Sequence, residues 1–583
     1  MKRFLLPAVA LLAGMSAFAE APAYQWHKLI DSKSAQDLSN QLAMSSNGTF
    51  FTLSHFGSKA AGDNLSFDGS VVAEGAVSGT SADNRNLLLM KHDADGKCLW
   101  TVSTKNGYVD SADGAMAATA DGGVVVSLKV RANDENGYHA PVLVDALKAE
   151  VDFPEWNTSC WIYNHVLVKI DAEGSIKWAR SIVFDQTPAP KSTKENNVDG
   201  YSNGSVALDA NGNIYIAGNY RSPMIVGGKD YSTHVLVPRS IAEYTGDSNT
   251  AGGLFLIKLD GEGNYVSHIK STGDTTRDQI TSLASDGFRI YFAGNLQGNE
   301  GQQLTVGDKT VTIANDLDGM LFGCLDTENM QVSYLKYIKA YGAEDGKHTT
   351  QVKNLCYIDG SLYILGAMKG GFGDEASSAA AISSTGKQLE GFAIKLNPAD
   401  GKWEGAVCNE LNIGAYLNGF KHDGKLYLFG YRMNKDTGSI LDVYPADSWT
   451  REDRLSIVTG GGTPTAYDCA FDENSKAVYS LTRGNKAFAF TDGSESDAPQ
   501  NWGMSLTKHI FNGTQSASSV VGASTVIRGE EGRIVVEASE PTDMHVVDVK
   551  GATVFSATVP AGSSSISLSS GIYIANNTKV VVK

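Results

Sequence analysis

Residues 204–220 read GSVALDANGNIYIAGNY, and residues 253–270 read GLFLIKLDGEGNYVSHIK. In each stretch two short runs of alternating apolar residues flank an Asp/Asn/Gly turn, which is the pattern of a β-hairpin. Copies of the first stretch fall at residues 38–57, 113–128, 280–295, 352–370, 417–434 and 466–485, making seven in all. Copies of the second, built on K-L-D or a variant of it (K-H-D, K-I-D, K-L-N) followed by a turn and then Trp or Tyr, lie between them, for example at residues 86–100, 166–178 and 391–403. A unit of three or four such strands cannot bury both its faces alone, whereas units stacked in a ring can.

The expected fold is therefore all-β: a β-propeller over residues 20–512, with seven blades and six or eight left open. The repeated residues then have structural duties. Asp209 and Gly212 make a tight turn, the Asp bonding nearby backbone and the Gly permitting positive φ. Tyr215, Tyr291, Tyr363 and Tyr427, each three residues before Gly218, Gly294, Gly366 and Gly430, would pack a seam between units. Residues 24–30 and 501–510 both resemble the run that opens each copy, so either could complete the last sheet and remove an exposed edge. The sixth and seventh copies lack a clean K-L-D partner, which leaves their completeness open.

The remaining chain supports these assignments. There are 62 Gly against 14 Pro in 583 residues, and apolar residues come in short bursts. The net charge is -17, from 48 Lys+Arg and 65 Asp+Glu, which excludes a general phosphate-binding surface and hence nucleic acid. Lys2 and Arg3, an apolar segment and Ala17-Phe18-Ala19 form a secretory signal over residues 1–19, so the chain is expected to be exported, to the extracellular space, the outer cell surface or the periplasm. No later stretch reaches the length of a transmembrane helix. Six widely spaced cysteines do not make a disulfide scaffold; Cys324 with Cys356 is one conceivable pair.

After residue 512 the composition changes. Residues 513–531 read as a linker, and residues 532–583 alternate in short strands that suggest a small β-sandwich. The two repeat patterns, L-x-x-K-L-D-x-x-G-x-x-x-W and D-x-x-G-N-x-Y-x-x-G, resemble the β-propeller repeats of secreted proteins of the Bacteroidetes type, over residues 24–510. The ending G-I-Y-I-x-N…K-V-V-V-K, with Gly532, Asp548, Gly551, Gly571, Tyr573 and Lys583, resembles the C-terminal sorting domain of their cell-surface proteins, of the type IX secretion kind. The resemblance implies recognition by an export apparatus and surface attachment; a merely accessory sandwich is the alternative.

No sequence signature of a catalytic site is present: there is no G-x-S-x-G, H-E-x-x-H, P-loop or dinucleotide fingerprint. The acidic turns at residues 93–96 and 260–263 offer too few oxygens for calcium, so no metal or cofactor is expected. Two insertions, residues 131–165 and 231–249, break the repeat. They hold Trp156, Trp161, Tyr163, Tyr231 and Tyr244, which are candidates for stacking on a glycan or packing on a protein, or else for covering the side of the ring. The functional expectation is a secreted or cell-surface, non-enzymatic binding or scaffold protein recognising a glycan or protein. An extracellular polysaccharide hydrolase or lyase and a structural surface component are the alternatives.

Overall fold

The computed structural model describes residues 21–32, 38–57, 64–73, 85–105, 108–109, 115–131, 142–144, 163–184, 205–220, 224–227, 235–236, 253–275, 277–343, 348–373, 380–384, 389–408, 413–432, 438–445, 447–462, 464–511, 525–530, 532–538, 541–548, 552–560, 562–575 and 578–582; counts below refer to these. The chain is all-β and divides into two units, Met1–Ile510 and Phe511–Lys583.

The first unit contains seven antiparallel sheets, each built on four strands. They are numbered here by their first strands: Leu38–Met44, Ala115–Ala118, Ser205–Leu208, Arg277–Ser285, Thr349–Ile358, Ile413–His422 and Thr465–Asp472. These first strands pack side by side in that order, and Thr465–Asp472 packs in turn on Leu38–Met44. The architecture is of the propeller type. The apolar clusters lie between neighbouring sheets: one joins Tyr215 and Leu256 of sheet three to Phe292 and Leu321 of sheet four, and another joins Tyr291 of sheet four to Ile364 and Phe392 of sheet five. Sheets six and seven are complete despite their weak repeats. In sheet seven both candidate closing runs are used, since Ala23–Asp31 pairs antiparallel with Gly503–Ile510.

The K-L-D turn works as a lock between sheets. In sheet one, Lys91 Nζ and Trp100 Nε1 donate to Ala172 O of sheet two at 3.0 and 2.9 Å. In sheet two, Lys169 and Trp178 both donate to Gly261 O of sheet three, each at 3.2 Å. In sheet three, Lys258 and the Tyr215 hydroxyl donate to Thr327 O of sheet four at 2.6 and 3.3 Å. In sheet seven, Lys508 and Tyr479 donate to Ala94 O of sheet one at 2.6 and 3.0 Å. The accepting carbonyl always belongs to the residue after the turn's Asp. That Asp is occupied with its own turn, as Asp171 is with the N–H groups of Glu173 and Ser175 at 3.1 and 2.8 Å. The turn glycine lies under the donor's ring: at Gly174 (φ 90°) a Cβ would sit 2.9 Å from Trp100.

A second set of bonds joins the sheets through their first strands. Asn418 Nδ2 donates to Asp468 Oδ1 at 2.8 Å, and Asp468 Oδ2 accepts the Leu42 N–H at 2.8 Å. Asn354 Nδ2 donates to Leu417 O (3.0 Å), Ser282 Oγ to Asn354 Oδ1 (3.0 Å), the Leu283 N–H to Ser205 Oγ (2.7 Å) and the Met116 N–H to Gln41 Oε1 (2.9 Å). This polar belt crosses six of the seven junctions. Gln41, Ser282, Asn354, Asn418 and Asp468 each follow a shift in strand register, a bulge that re-aims the side chain towards the neighbouring sheet. The Y-x-x-G glycine accommodates the bulge, because a Cβ at Gly294 would overlap Gln279 O.

The connection between the second and third strands of one sheet reaches back to the previous sheet. Leu65–Phe67 pairs with Ala23–Asp31, Val142–Val144 with Cys98–Lys105, and Met224–Gly227 with Ile176–Phe184. Gln303–Val306 pairs with Tyr265–Gly273, Gly371–Gly373 with Val332–Tyr341, and Phe488–Phe490 with Asp453–Gly460. The described parts of both sequence insertions thus include straps: Val142–Val144 lies in the first, and Val235–Leu236, which extends the Met224–Gly227 strap, lies in the second.

The second unit holds a sheet of three strands and one of four, with a shared core that includes Ile534, Val546, Tyr573 and Val580. Its first strand, Thr525–Glu530, lies inside the stretch expected to be a linker. Short polar residues in 513–524 hid the onset of Val526–Ile527, whose partners are in Arg533–Ala538. The conceivable Cys324–Cys356 bridge is corrected: both are buried free thiols, and Cys356 Sγ instead contacts Asn418 Oδ1 at 3.3 Å.

Two substitutions separate the roles of the turn glycines. Gly212→Ala, which meets nothing within 4 Å, should cost about 1–2 kcal/mol, the strain of a left-handed alanine. Gly174→Ala adds the collision with Trp100 and should cost roughly 1–3 kcal/mol more; denaturant unfolding of both variants checks the difference. Asn354→Ala, which removes two belt bonds, should cost about 1–3 kcal/mol in the same assay.

Candidate functional site

The acidic turns, the obvious candidates for chemistry, are consumed by the locks described above. Among the described residues no three His, Cys, Asp or Glu side chains are placed to hold a metal ion. Buried ionisable groups elsewhere are also engaged. Asp442, fully buried, receives two bonds from Arg454 at 2.6 and 2.8 Å and a third from the Tyr416 hydroxyl. Burial raises the Asp468 carboxyl to about 6, against which its hydrogen bonds to the Leu42 N–H and the Asn418 amide work.

A cleft of ≈ 550 Å³ opens at the outer side of sheet seven, lined by His27, Leu29, Asp31, Asn64, Ser66, Asp68, Gly69, Val71, Asp497, Ala498 and Gln500. Three separate pieces of chain build it. The N-terminal strand supplies His27, Leu29 and Asp31. The strap Leu65–Phe67 and its partner Ser70–Ala73 supply Ser66 and Val71. Their two-residue turn, Asp68-Gly69, has φ of 51° and 79°, as a tight hairpin turn requires. The connection of sheet seven supplies Asp497, Ala498 and Gln500.

Each wall is fixed by a bond across these pieces. Asp31 accepts the Gln500 N–H at 3.0 Å through Oδ2, and Ser66 Oγ donates to Asp31 O at 2.9 Å. Lys28 Nζ meets Asp68 Oδ2 at 2.6 Å. His27 lies over Phe490 with ring centroids 4.4 Å apart, and its Nδ1 is 2.7 Å from the Tyr24 hydroxyl. Burial lowers the His27 pKa and raises that of Asp31. The cleft volume is in the range of small-ligand sites. Its lining mixes three carboxylates, the Asn64 and Gln500 amides, the His27 imidazole and a hydroxyl with the apolar Leu29 and Val71, a surface suited to hydroxyl-rich ligands.

The residues expected to bind fall differently. Trp156, Trp161, Tyr231 and Tyr244 lie outside the described residues. Tyr163 begins the strand Tyr163–Ile170, pairing with Arg131 inside sheet two. The repeat tyrosines are buried: Tyr215 also donates to Asp209 at 3.0 Å, Tyr291 stacks on Tyr357 of sheet five, Tyr363 meets Trp449 of sheet six, and Tyr427 stacks on Phe420. Gly218 lies in the buried strand Ile214–Tyr220, and Gly366 and Gly430 oppose first-strand carbonyls. The cleft residues were missed because no local pattern unites them; the Phe-Asp-Gly-Ser turn at 67–70 was the available signal.

No protein-family model matches the chain, and no curated protein matches it. Similar solved structures include the Dos1 propeller (10% identity, 85% of this chain and 96% of that chain covered, TM-score 0.34). BamB from Moraxella catarrhalis is another (10% identity, 82% and 99% covered, TM-score 0.30), as is the polysaccharide lyase Uly1 (8% identity, 84% and 100% covered, TM-score 0.36). At these scores the fold description rests on the strand pairings themselves.

Among the described residues no helix is long and apolar enough to cross a membrane. Two buried histidines, His92 and His509, and the half-buried His348 predict acid sensitivity. Burial depresses His92 to about 3 and His348 and His509 to about 4. The unfolded chain, with ordinary histidines, therefore takes up more protons between pH 6.5 and 4, and stability falls as pH drops through that window. Asp468, raised to about 6, and Asp31, also raised, work in the opposite sense but are two groups against four once His27, lowered by burial, is included. Thermal unfolding at pH 7, 5.5 and 4 should show a falling melting temperature.

Proposed function

We propose that this chain is an exported, non-enzymatic binding protein: a seven-bladed propeller closed by its own N-terminal strand, which recognises a hydroxyl-rich ligand of the glycan class in the cleft of sheet seven. Seven blades and closure are supported by the unbroken succession of first strands and by the pairing of Ala23–Asp31 with Gly503–Ile510. Export is supported by the signal-like residues 1–19. The observation that carries the binding reading is the cleft itself, whose carboxylates Asp31 and Asp68 are already committed to the Gln500 N–H and Lys28. Groups held in this way accept hydrogen bonds from hydroxyls better than they shuttle protons.

The test is a glycan array on the purified mature chain, followed by calorimetry of the best ligand. Asn64→Ala and Asp497→Ala should each weaken binding about 5- to 100-fold, the loss expected for one or two hydrogen bonds, and Asp497→Ala should do so without changing the melting temperature. Absence of glycan binding, or unaltered affinity in both variants, overturns the assignment. Turnover of a polysaccharide, abolished by neutralising one carboxylate, would put a hydrolase or lyase in its place.

For the second unit we propose the sorting role that its C-terminal pattern suggests. Deleting residues 525–583 should then abolish surface display while leaving the first unit folded, read by cell fractionation and circular dichroism. Unchanged localisation removes that role.

A further inference from the structure

The lining of the cleft in sheet seven is unbalanced in charge. Asp31, Asp68 and Asp497 face it, and among the described residues no Lys or Arg does. His27 does not restore the balance. Burial lowers its pKa even though the Asp68 and Asp497 carboxylates pull the other way, so the ring is neutral at pH 7. Lys28, next to His27 in the strand, pairs with Asp68 at 2.6 Å and offsets that one charge. Two carboxylates are left over. Asp31 accepts the Gln500 N–H at 3.0 and 3.2 Å, and this bond opposes the rise in its pKa that burial causes. Asp497 is held from behind: the Phe488 N–H donates to Ser496 Oγ at 3.0 Å, and Ser496 Oγ donates to the Asp497 carbonyl at 2.7 Å. Its exposed carboxylate has no hydrogen bond or ion pair among the described residues.

We infer that the ligand of this cleft carries a protonated amine: it is a glycan with free amino groups, of the de-N-acetylated hexosamine class. The inference rests on the glycan reading of the cleft given above and adds a selectivity by charge. A neutral hydroxyl gains only from the carboxylate it bonds. An ammonium group is attracted by every carboxylate of the wall, and a concave site concentrates that field. A hydrogen bond between an ammonium and a carboxylate is also roughly twice as strong as one between neutral groups. Asp497, fixed in place and without a partner of its own, is the group that meets the amine, and Asp31 adds to the attraction. The same charges repel a uronic acid, so the cleft selects against acidic glycans as well as for basic ones.

The probes are tetramers of glucosamine, N-acetylglucosamine and galacturonic acid, with tetralysine beside them, each titrated into the full-length protein by calorimetry at pH 6. The glucosamine tetramer should bind at least about tenfold more tightly than its N-acetylated counterpart, and the galacturonic acid tetramer should not bind. Asp497→Asn keeps the shape of the side chain and removes its charge, so it should cut the preference for glucosamine about tenfold. Glu328→Gln, at an exposed carboxylate in a turn of sheet four, should leave that preference as it is. Equal affinity for the two hexosamines, or a preference that survives Asp497→Asn, overturns the inference and leaves the glycan reading standing. So does a preference that Glu328→Gln reduces equally, which is attraction to an acidic chain as a whole. No binding by any of the three sugars overturns the inference and the glycan reading together. Tetralysine bound as tightly as the glucosamine tetramer, and lost with Asp497→Asn, overturns both in favour of a basic peptide.

Discussion

A buried carbonyl must find a donor, and in this chain the donor comes from the neighbouring sheet. The carbonyls of Ala94, Ala172, Gly261 and Thr327 sit in third-to-fourth strand turns and are each met by a lysine together with a Trp or Tyr of the preceding sheet. The lysine stems cross aromatic faces on the way, as Lys258 does over Tyr215. A sheet lacking its neighbour would return both groups to water and lose the contact, so these bonds and the apolar clusters beside them exist only when adjacent sheets are both in place. The sheets are therefore stable as a set, and the apolar clusters between them take their register from these bonds.

The same constraint explains what could be read from the sequence. K-L-D-x-x-G-x-x-x-W is visible because each letter has a fixed duty: Lys and Trp as donors, Asp as the clamp of its turn, Gly as the floor under the ring. The Y-x-x-G motif is visible because a bulge in the facing strand leaves no room for a side chain at Gly294. The belt residues were illegible by comparison. Gln, Ser, Asn and Asp all serve at one position, so no single letter repeats, and Ala115 stands there in sheet two. Sheets six and seven looked incomplete for a related reason. In sheet six the buried Asp442–Arg454 pair lies within the sheet, so the K-L-D letters are missing although the strands remain.

Val142–Val144 and Val235–Leu236, described segments inside the two insertions, continue the sheet. Val142–Val144, Met224–Gly227 and Gln303–Val306 extend the previous sheet by hydrogen bonding to its last strand. They cover an edge that would otherwise template aggregation, and they tie each sheet to the one before it. The cleft in sheet seven is a by-product of this habit, since one of its walls is a strap and another is the connection that starts a strap. Its residues carry no shared motif because they meet only in three dimensions.

The pairing of Ala23–Asp31 with Gly503–Ile510 also orders events in time. Asp31 and Gln500, bonded across the cleft, are 469 residues apart. Ala23–Asp31 can meet the strap Leu65–Phe67 early, but it must wait for its long ladder partner until nearly the whole first unit has followed it. During that interval sheets one to six can form and lock in sequence, while Lys508 and Tyr479 have yet to reach Ala94. Passage of the first unit through any narrow channel would therefore precede the pairing of Ala23–Asp31 with Gly503–Ile510, and the cleft is the last part of that unit to form. Whatever enters that cleft can do so only after Gly503–Ile510 has taken its place beside Ala23–Asp31.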